Sequence, residues 1–328
     1  MDSPSICAIA DDLTGALETG SKFAAMSLDT RVTTKLVSRP EGIYVIDTET
    51  RHLSGPEAAS RIETLARGIR HDLIYKKTDS TLRGNIGAEL GALAKVFPDR
   101  RIVFVPAYPA LGRTVRNGEL LVDGIPVHET PIGRDKLNPL HSSSINACLG
   151  GVKATVIDGE TDADIRAAAR QIVEDKSPVI VAGPAAIAGA LAEQYSQVPT
   201  RLAMPSHMRC LVINGSLHPA SADQISHHAF DENWVRFEYG GSEEGLERAN
   251  RLGAQVKALL TESRFEAMII FGGDTAYGIH QALGAVDFDS CGEILLGVPV
   301  SKSQGMYWIT KAGGFGKADL LQRLKEKL

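Results

Sequence analysis

The chain has 328 residues, of which 43% are hydrophobic and 23% charged, and a formal net charge of −5. The length exceeds what one hydrophobic core usually serves, so two domains are expected, and the composition excludes wholesale disorder. The slight acidic excess leaves no general attraction for a phosphate backbone, which argues against nucleic acid as a partner.

Short β-branched runs alternate with Ala-rich amphipathic stretches from the first residues. The pattern predicts strands over 5–10, 31–37, 43–47, 73–78 and 101–108, and helices over 15–26, 56–68 and 85–97. Residues 109–146 break this rhythm with several Gly and Pro, and predict a long loop with a small hairpin, a length that usually signals function. The rhythm resumes with strands over 154–157 and 179–182 and helices over 162–174 and 184–194. A polar, Pro-flanked segment over 198–208 marks the predicted boundary between an N-terminal domain, 1–200, and a C-terminal domain, 201–328. Beyond it the pattern gives strands over 210–214, 267–271 and 307–311 and helices over 219–230, 243–261, 275–283 and 317–328. The fold class is therefore α/β: two domains, parallel or mixed sheets flanked by helices, and an active site in the cleft between them.

The longest apolar run, 178–192, is interrupted by Gly183 and Pro184 and is too short to cross a bilayer, so no membrane partner is expected. The N-terminus has no basic region followed by an apolar stretch, which points to the cytoplasm. Cys7, Cys148, Cys210 and Cys291 contain no CxxC pair and read as free thiols.

In an open α/β sheet, ligands bind at the carboxyl ends of the strands. The first strand is followed by ADDLTG (10–15), whose adjacent Asp11 and Asp12 repel each other unless a cation, a donor or a substrate hydroxyl satisfies them. The next rim segment, DTETRH (47–52), supplies Arg51, whose planar fork suits a carboxylate, and His52, which alone is more often structural. KKTDSTLRGN (76–85) is denser still, with Lys77, Asp79, Ser80, Thr81 and Arg83 ahead of a helix that needs only one polar cap. PAYPALGRT (106–114) adds Arg113, which by itself is more often a solvated loop residue. Acids for hydroxyls and cations for a carboxylate describe a reader of a polyhydroxy acid. The second half differs: its strands end in NGSLHP (214–219), FGGDTA (271–276) and KAGGFG (311–316), Gly-rich turns whose amides and helix N-termini suit phosphate. None is a P-loop or a complete dinucleotide fingerprint.

These motifs, with VDGIPVHET (122–130) between them, occur in the order found in the four-carbon acid sugar kinases, which this chain resembles over its whole length; KTDSTLRGN is the most specific stretch. The resemblance implies an ATP-dependent kinase that phosphorylates the terminal hydroxyl of threonate, erythronate or 3-oxo-tetronate. It places the acid in the N-terminal domain at Asp11, Asp12, Arg51, Lys77, Asp79, Ser80, Thr81 and Arg83. It places ATP in the C-terminal domain at Ser216, Gly272, Gly273, Asp274, Thr275, Gly313, Gly314, Phe315 and Gly316. Three departures stand out: the C-terminal domain is shorter than usual, Phe271 replaces a small residue before its Gly pair, and Ala312 replaces Ser before GGFG.

Phosphoryl transfer then calls on Asp12 or Asp79 to orient or deprotonate the hydroxyl, on Arg51, Lys77 and Arg83 to hold carboxylate or transferred charge, and on Mg²⁺ to bridge phosphates. No His/Cys cluster suggests zinc, and no protein metal ligand is assigned. The competing readings are a kinase of another hydroxy acid such as 4-hydroxythreonine, a non-catalytic metabolite and nucleotide sensor, and a dehydrogenase, which lacks its glycine fingerprint. Homo-oligomerisation is left open.

Overall fold

The computed structural model describes residues 4–36, 41–134, 138–241, 243 and 245–328. The first lobe begins with β1 (Ile6–Ala10), α1 (Leu13–Ala24), β2 (Thr30–Thr33), β3 (Ile43–Asp47), α2 (Gly55–Ala66), β4 (Leu73–Lys77), α3 (Ile86–Val96) and β5 (Arg101–Phe104). The strand predicted over 31–37 stops at Thr33, and its last predicted residue, Val37, lies outside the described residues. Where a loop and hairpin were expected, a separate antiparallel sheet forms from β6 (Arg113–Arg116), β7 (Glu119–Val122) and β8 (Ile125–Pro126), followed by the one-turn α4 (Ile145–Leu149). The lobe closes with β9 (Thr155–Val156), α5 (Asp162–Glu174), β10 (Val179–Gly183) and α6 (Ala185–Tyr195).

The second lobe runs β11 (Cys210–Asn214), α7 (Pro219–Ser226), β12 (Trp234–Phe237), α8 (Gly245–Glu262), β13 (Ala267–Phe271), α9 (Gly273–Ala282), β14 (Phe288–Leu295), β15 (Val298–Ser303), β16 (Met306–Lys311) and α10 (Leu320–Lys325). Glu244, inside the predicted 243–261 helix, lies outside the described residues. The sequence pattern did not announce β12, β14 or β15.

Among the described residues the main sheet has thirteen strands in the order β12-β11-β13-β16-β15-β14-β2-β3-β1-β4-β10-β5-β9. Strands β2, β3, β1, β4, β10, β5 and β9 of the first lobe pair in parallel, as do β12, β11, β13 and β16 of the second. The two parallel blocks meet through the antiparallel β14–β15 hairpin, whose β14 registers Phe288 on Val32 and Asp289 on Arg31 of β2. One sheet therefore runs through both lobes. The strands β1, β4, β10 and β13 are buried at every position, as expected of parallel strands covered on both faces by helices.

Helix α1 ties the lobes together. Asp12 caps it by accepting from the Gly15 N–H at 3.0 Å, and its buried face packs on β2 and β3 of its own lobe and on β14, β15 and α9 of the other. Lys22 on this helix pairs with Glu293 of β14 at 2.6 Å, both nearly buried. The four cysteines are unpaired, and no helix among the described residues is long and apolar enough to cross a membrane.

Candidate active site

A cavity of about 370 Å³ opens where the carboxyl ends of β1, β3 and β4 face those of β13 and β16. It is lined from the first lobe by Asp12, Arg51, Lys77, Asp79, Ser80, Thr81 and Arg83, and from the second by Gly273, Asp274, Gly313, Gly314 and Phe315. Within each lobe these loops leave parallel strands in the same direction; the three antiparallel pairings from β2 through β14 and β15 to β16 make the two blocks run in opposite senses, and the cavity lies where their loops meet. The lobes already touch there. A Cβ on Gly273, the first residue of α9, would lie 3.1 Å from the Thr14 hydroxyl and 3.7 Å from Asp12 Oδ2. Across the same gap His52 Nε2 stands 3.8 Å from Asp274 Oδ1.

Five of the residues expected at the site do not line the cavity. Asp11 is 1% exposed beneath Arg51, and Ser216, Gly272, Thr275 and Gly316 support the lining without reaching it. Gly272 turns the chain from β13 into α9 at φ +106°, a conformation side-chain-bearing residues rarely take. Ser216 packs between Gly272 and Gly313, which holds the two glycine loops side by side.

The aspartates and arginines form a closed network. Arg51 Nε and Nη2 donate to Asp11 at 2.8 and 2.9 Å, while Nη1 and Nη2 donate to Asp12 at 2.7 and 2.8 Å. Four of its five N–H donors are thus engaged by the two aspartates whose repulsion the sequence left unresolved. The expectation that Arg51 is open to a substrate carboxylate is replaced by a structural role as their shared counter-ion. Burial opposes ionisation of Asp11, but Arg51, Lys76 and Lys77 outweigh it and hold its carboxyl below the usual range.

Asp79 is equally occupied. Its Oδ1 accepts from the Thr81 N–H at 2.9 Å, from the Thr81 hydroxyl and from Arg83 Nε at 3.1 Å, and its Oδ2 accepts from Arg83 Nη2 at 2.8 Å. Against burial, Arg83 and Arg51 keep this carboxyl well below the ordinary value. An acid so stabilised in its charged form is a poor proton acceptor. It orders the 79–83 turn instead.

Two cations of the cavity carry no carboxylate within ion-pair distance among the described residues. Lys77, 4% exposed, donates to the Thr78 carbonyl at 2.8 Å, and its ammonium would lie 2.9 Å from a Cβ placed on Gly15. Arg113 bonds the Leu111 carbonyl through Nη1, and its buried Nε has no partner. Burial lowers its proton affinity. A buried cation lacking a counter-ion is costly, and an anionic ligand offsets that cost.

Glu49 stands in the DTETRH segment, where no spacing or motif distinguishes it from its neighbours. Its backbone φ is +45°, and its Oε1 accepts from the Leu13 N–H at 2.9 Å at the start of α1. Burial first, and then the charges of Asp47 and Asp12, push its carboxyl up to about 10, so it is protonated at neutral pH. Asp47 beneath it is pushed up to about 7 by burial and by Asp12. A raised folded-state pKa gives a stabilisation that is complete below the ordinary value of 4.5 and is lost as pH climbs toward 10. Glu49→Gln keeps the acceptor for Leu13 and removes the ionisation. Its melting temperature is expected to exceed that of the parent by a margin that widens with pH across this window; a constant margin would contradict the shift.

Tyr277 from α9 and Gly297 and Pro299 from the β14–β15 hairpin also line the cavity. No motif marked them, because their position depends on the pairing of β14 with β2. Thr14 and His218, by contrast, lie in the ADDLTG and NGSLHP segments already noted. The Thr14 hydroxyl is buried at the seam with Gly273, without a partner among the described residues.

The residues fit a nucleotide by the cradle that Gly272, Gly273, Gly313 and Gly314 form, two of them at strand ends where a Cβ would meet Ser216. Among the described residues no group of three or more His, Cys, Asp or Glu could hold a metal ion by itself. Asp12 and Asp274 are carboxylates on the seam between the lobes.

Comparison with known proteins finds two family models along the chain. A family model described as a sugar-binding N-terminal domain matches residues 6–154, and one described as a nucleotide-binding C-terminal domain matches residues 226–321. A D-threonate kinase of Bordetella bronchiseptica is 29% identical over 404 aligned positions, covering 100% of this chain and 98% of the relative. That alignment is longer than the 328-residue chain, which lacks segments its relative has. A D-erythronate kinase of Heliobacterium modesticaldum is 36% identical over 172 residues, 47% of this chain and 39% of that one. A solved chain from Salmonella typhimurium LT2 shares the fold with a TM-score of 0.79 at 20% identity, over 98% of this chain and 99% of that one. With both domain models matched in order and a relative aligned from end to end, the chain belongs to the four-carbon acid sugar kinase family.

Proposed function

We propose that the protein transfers the terminal phosphoryl group of ATP to the terminal hydroxyl of a four-carbon sugar acid such as threonate, erythronate or 3-oxo-tetronate. The observation that carries this reading is the shared cavity, where acids and unpaired cations of one lobe face glycine loops of the other. The names of the relatives agree with it. The N-terminal unit, to about residue 200, holds the acid, and the remainder holds the nucleotide.

Lys77 and Arg113 are the cations that receive the substrate carboxylate, with Ser80 and Arg83 beside them on the rim. Asp12 is the group that takes the proton of the reacting hydroxyl. Its Oδ2, bonded among the described residues only to Arg51 Nη1, faces the N-terminus of α9, whereas Asp79 is saturated by Thr81 and Arg83. The N-terminus of α9, Gly273 and the 313–315 loop hold the phosphates, and the partial positive charge of the helix end favours the charge that gathers there. Mg²⁺ bound with the phosphates would lie against Asp12 or Asp274 and supplies charge neutralisation during transfer.

The test is ADP release from Mg²⁺·ATP across a panel of four-carbon acids, with 4-hydroxythreonine and the corresponding uncharged polyols as controls. Turnover is expected with at least one tetronic acid and not with the polyols. ATP hydrolysis that no acid stimulates would end the proposal. Arg113→Met should raise KM for the active acid about tenfold or more with little change in KM for ATP; an unchanged KM would remove Arg113 from carboxylate binding.

A further inference from the structure

Lys311, the last residue of β16, is 1% exposed and has no carboxylate within ion-pair distance among the described residues. Its ammonium donates to the carbonyls of Gly313 and Phe315 at 2.9 and 2.8 Å and lies 3.3 Å from the Ser221 hydroxyl, which engages all three of its protons. It also sits 4.6 Å from the centre of the Phe271 ring. Two side chains of α7 reinforce the same carbonyls: Ser221 donates to Gly313 at 2.6 Å and Gln224 to Phe315 at 2.9 Å. Burial alone lowers the lysine to about 8, as expected of a cation held without a counter-charge.

The consequence follows from peptide geometry. The carbonyl and the N–H of one trans peptide unit point in opposite directions, and no cis bond occurs among the described residues. Drawing the carbonyls of Gly313 and Phe315 down onto Lys311 therefore turns the N–H groups of Gly314 and Gly316 away from it. Neither N–H donates to a protein acceptor among the described residues, and Gly313, Gly314 and Phe315 form the cavity wall on the other side of the loop.

We infer that Lys311 is a positioning residue for the nucleotide: from beneath, it fixes the 312–316 loop so that the loop amides face the phosphates of ATP, and it adds a buried positive charge below them. This rests on the kinase reading of the cavity. It also gives the unusual Phe271 a use, because a small residue there would leave the ammonium without its aromatic neighbour. The lysine never touches the nucleotide, since its protons are already engaged.

The experiment is Mg²⁺·ATP binding to the full chain by calorimetry, for the parent and Lys311→Met, which keeps the stem and removes charge and donors. Steady-state KM values for ATP and for the active acid accompany it. The variant is expected to bind ATP about 10- to 100-fold more weakly with KM for the acid within about twofold. A role in general folding alone would weaken both ligands together. ATP affinity within twofold of the parent, or parallel weakening of both ligands, overturns the inference and leaves the kinase reading standing. A parent chain that binds no ATP ends both. Should Lys311→Met fail to fold, Gln224→Ala removes the second donor to the Phe315 carbonyl: selective weakening of ATP supports the loop mechanism, and unchanged ATP affinity overturns it.

Discussion

Asp12→Asn should lower turnover by about two to four orders of magnitude at saturating acid while leaving ATP affinity within a few-fold of the parent. The exchange is nearly isosteric. The amide oxygen of Asn can still accept from the Gly15 N–H, so the cap of α1 survives, and Arg51 keeps Asp11 as a bidentate partner. What disappears is the negative oxygen that faces Gly273 across the seam and is proposed to take the proton of the reacting hydroxyl. Stopped turnover with intact ATP binding separates loss of the base from loss of the fold. The same exchange at Asp79 provides the contrast: it loosens the Thr81 and Arg83 turn, so its cost should fall largely on KM for the acid. If Asp12→Asn retained full turnover, the proton would have to leave by another route.

Much of this site was readable because its residues are local. ADDLTG, DTETRH, KTDSTLRGN and the three glycine turns each follow a strand whose apolar run is unmistakable, and the bounds 43–47, 210–214 and 267–271 agree with β3, β11 and β13. Parallel pairing then carries the loops of each lobe to that lobe's own rim; that the two rims meet depends on the β14–β15 hairpin, which reverses the strand direction between the blocks. Two kinds of fact were not local. The β14–β15 hairpin contains Gly292 and Pro299 and a weak alternation of buried and exposed positions, and its pairing with β2 joins residues more than 250 positions apart in sequence. Nothing in either segment encodes that partner, so the continuous sheet and the contribution of Gly297 and Pro299 to the cavity stayed hidden. The second kind is the partner of each charge. Arg51 and Arg113 are both rim arginines after strands; only coordinates show that Arg51 is enclosed by Asp11 and Asp12 while Arg113 keeps an unbonded Nε. Sequence supplies the inventory of charges, and packing decides which of them remain for a ligand.

Removing Arg51 should accordingly damage the fold as much as the activity. In Arg51→Met, Asp11 and Asp12, with side chains 2% and 17% exposed, lose the guanidinium that holds both, and Asp79 loses a cation 3.9 Å away. Stranding one member of a buried ion pair costs about 3–5 kcal/mol, which denaturant unfolding would read directly. The deficit should depend on pH in a defined sense. In the parent, Asp11 and Asp79 have folded-state values below the ordinary 3.8, so the stability they contribute is present above that value and is lost as pH falls through the folded-state values. In the variant, burial without the guanidinium raises Asp11, so its carboxyl costs the folded state more as pH increases from about 4. The gap between parent and variant should thus be widest near neutrality and close toward acid, and the double variant Asp11→Asn with Arg51→Met should recover part of it. An Arg51→Met protein as stable as its parent at pH 7 would return Arg51 to the set of groups open to substrate, and with it the assignment of the acid's carboxylate to Lys77 and Arg113.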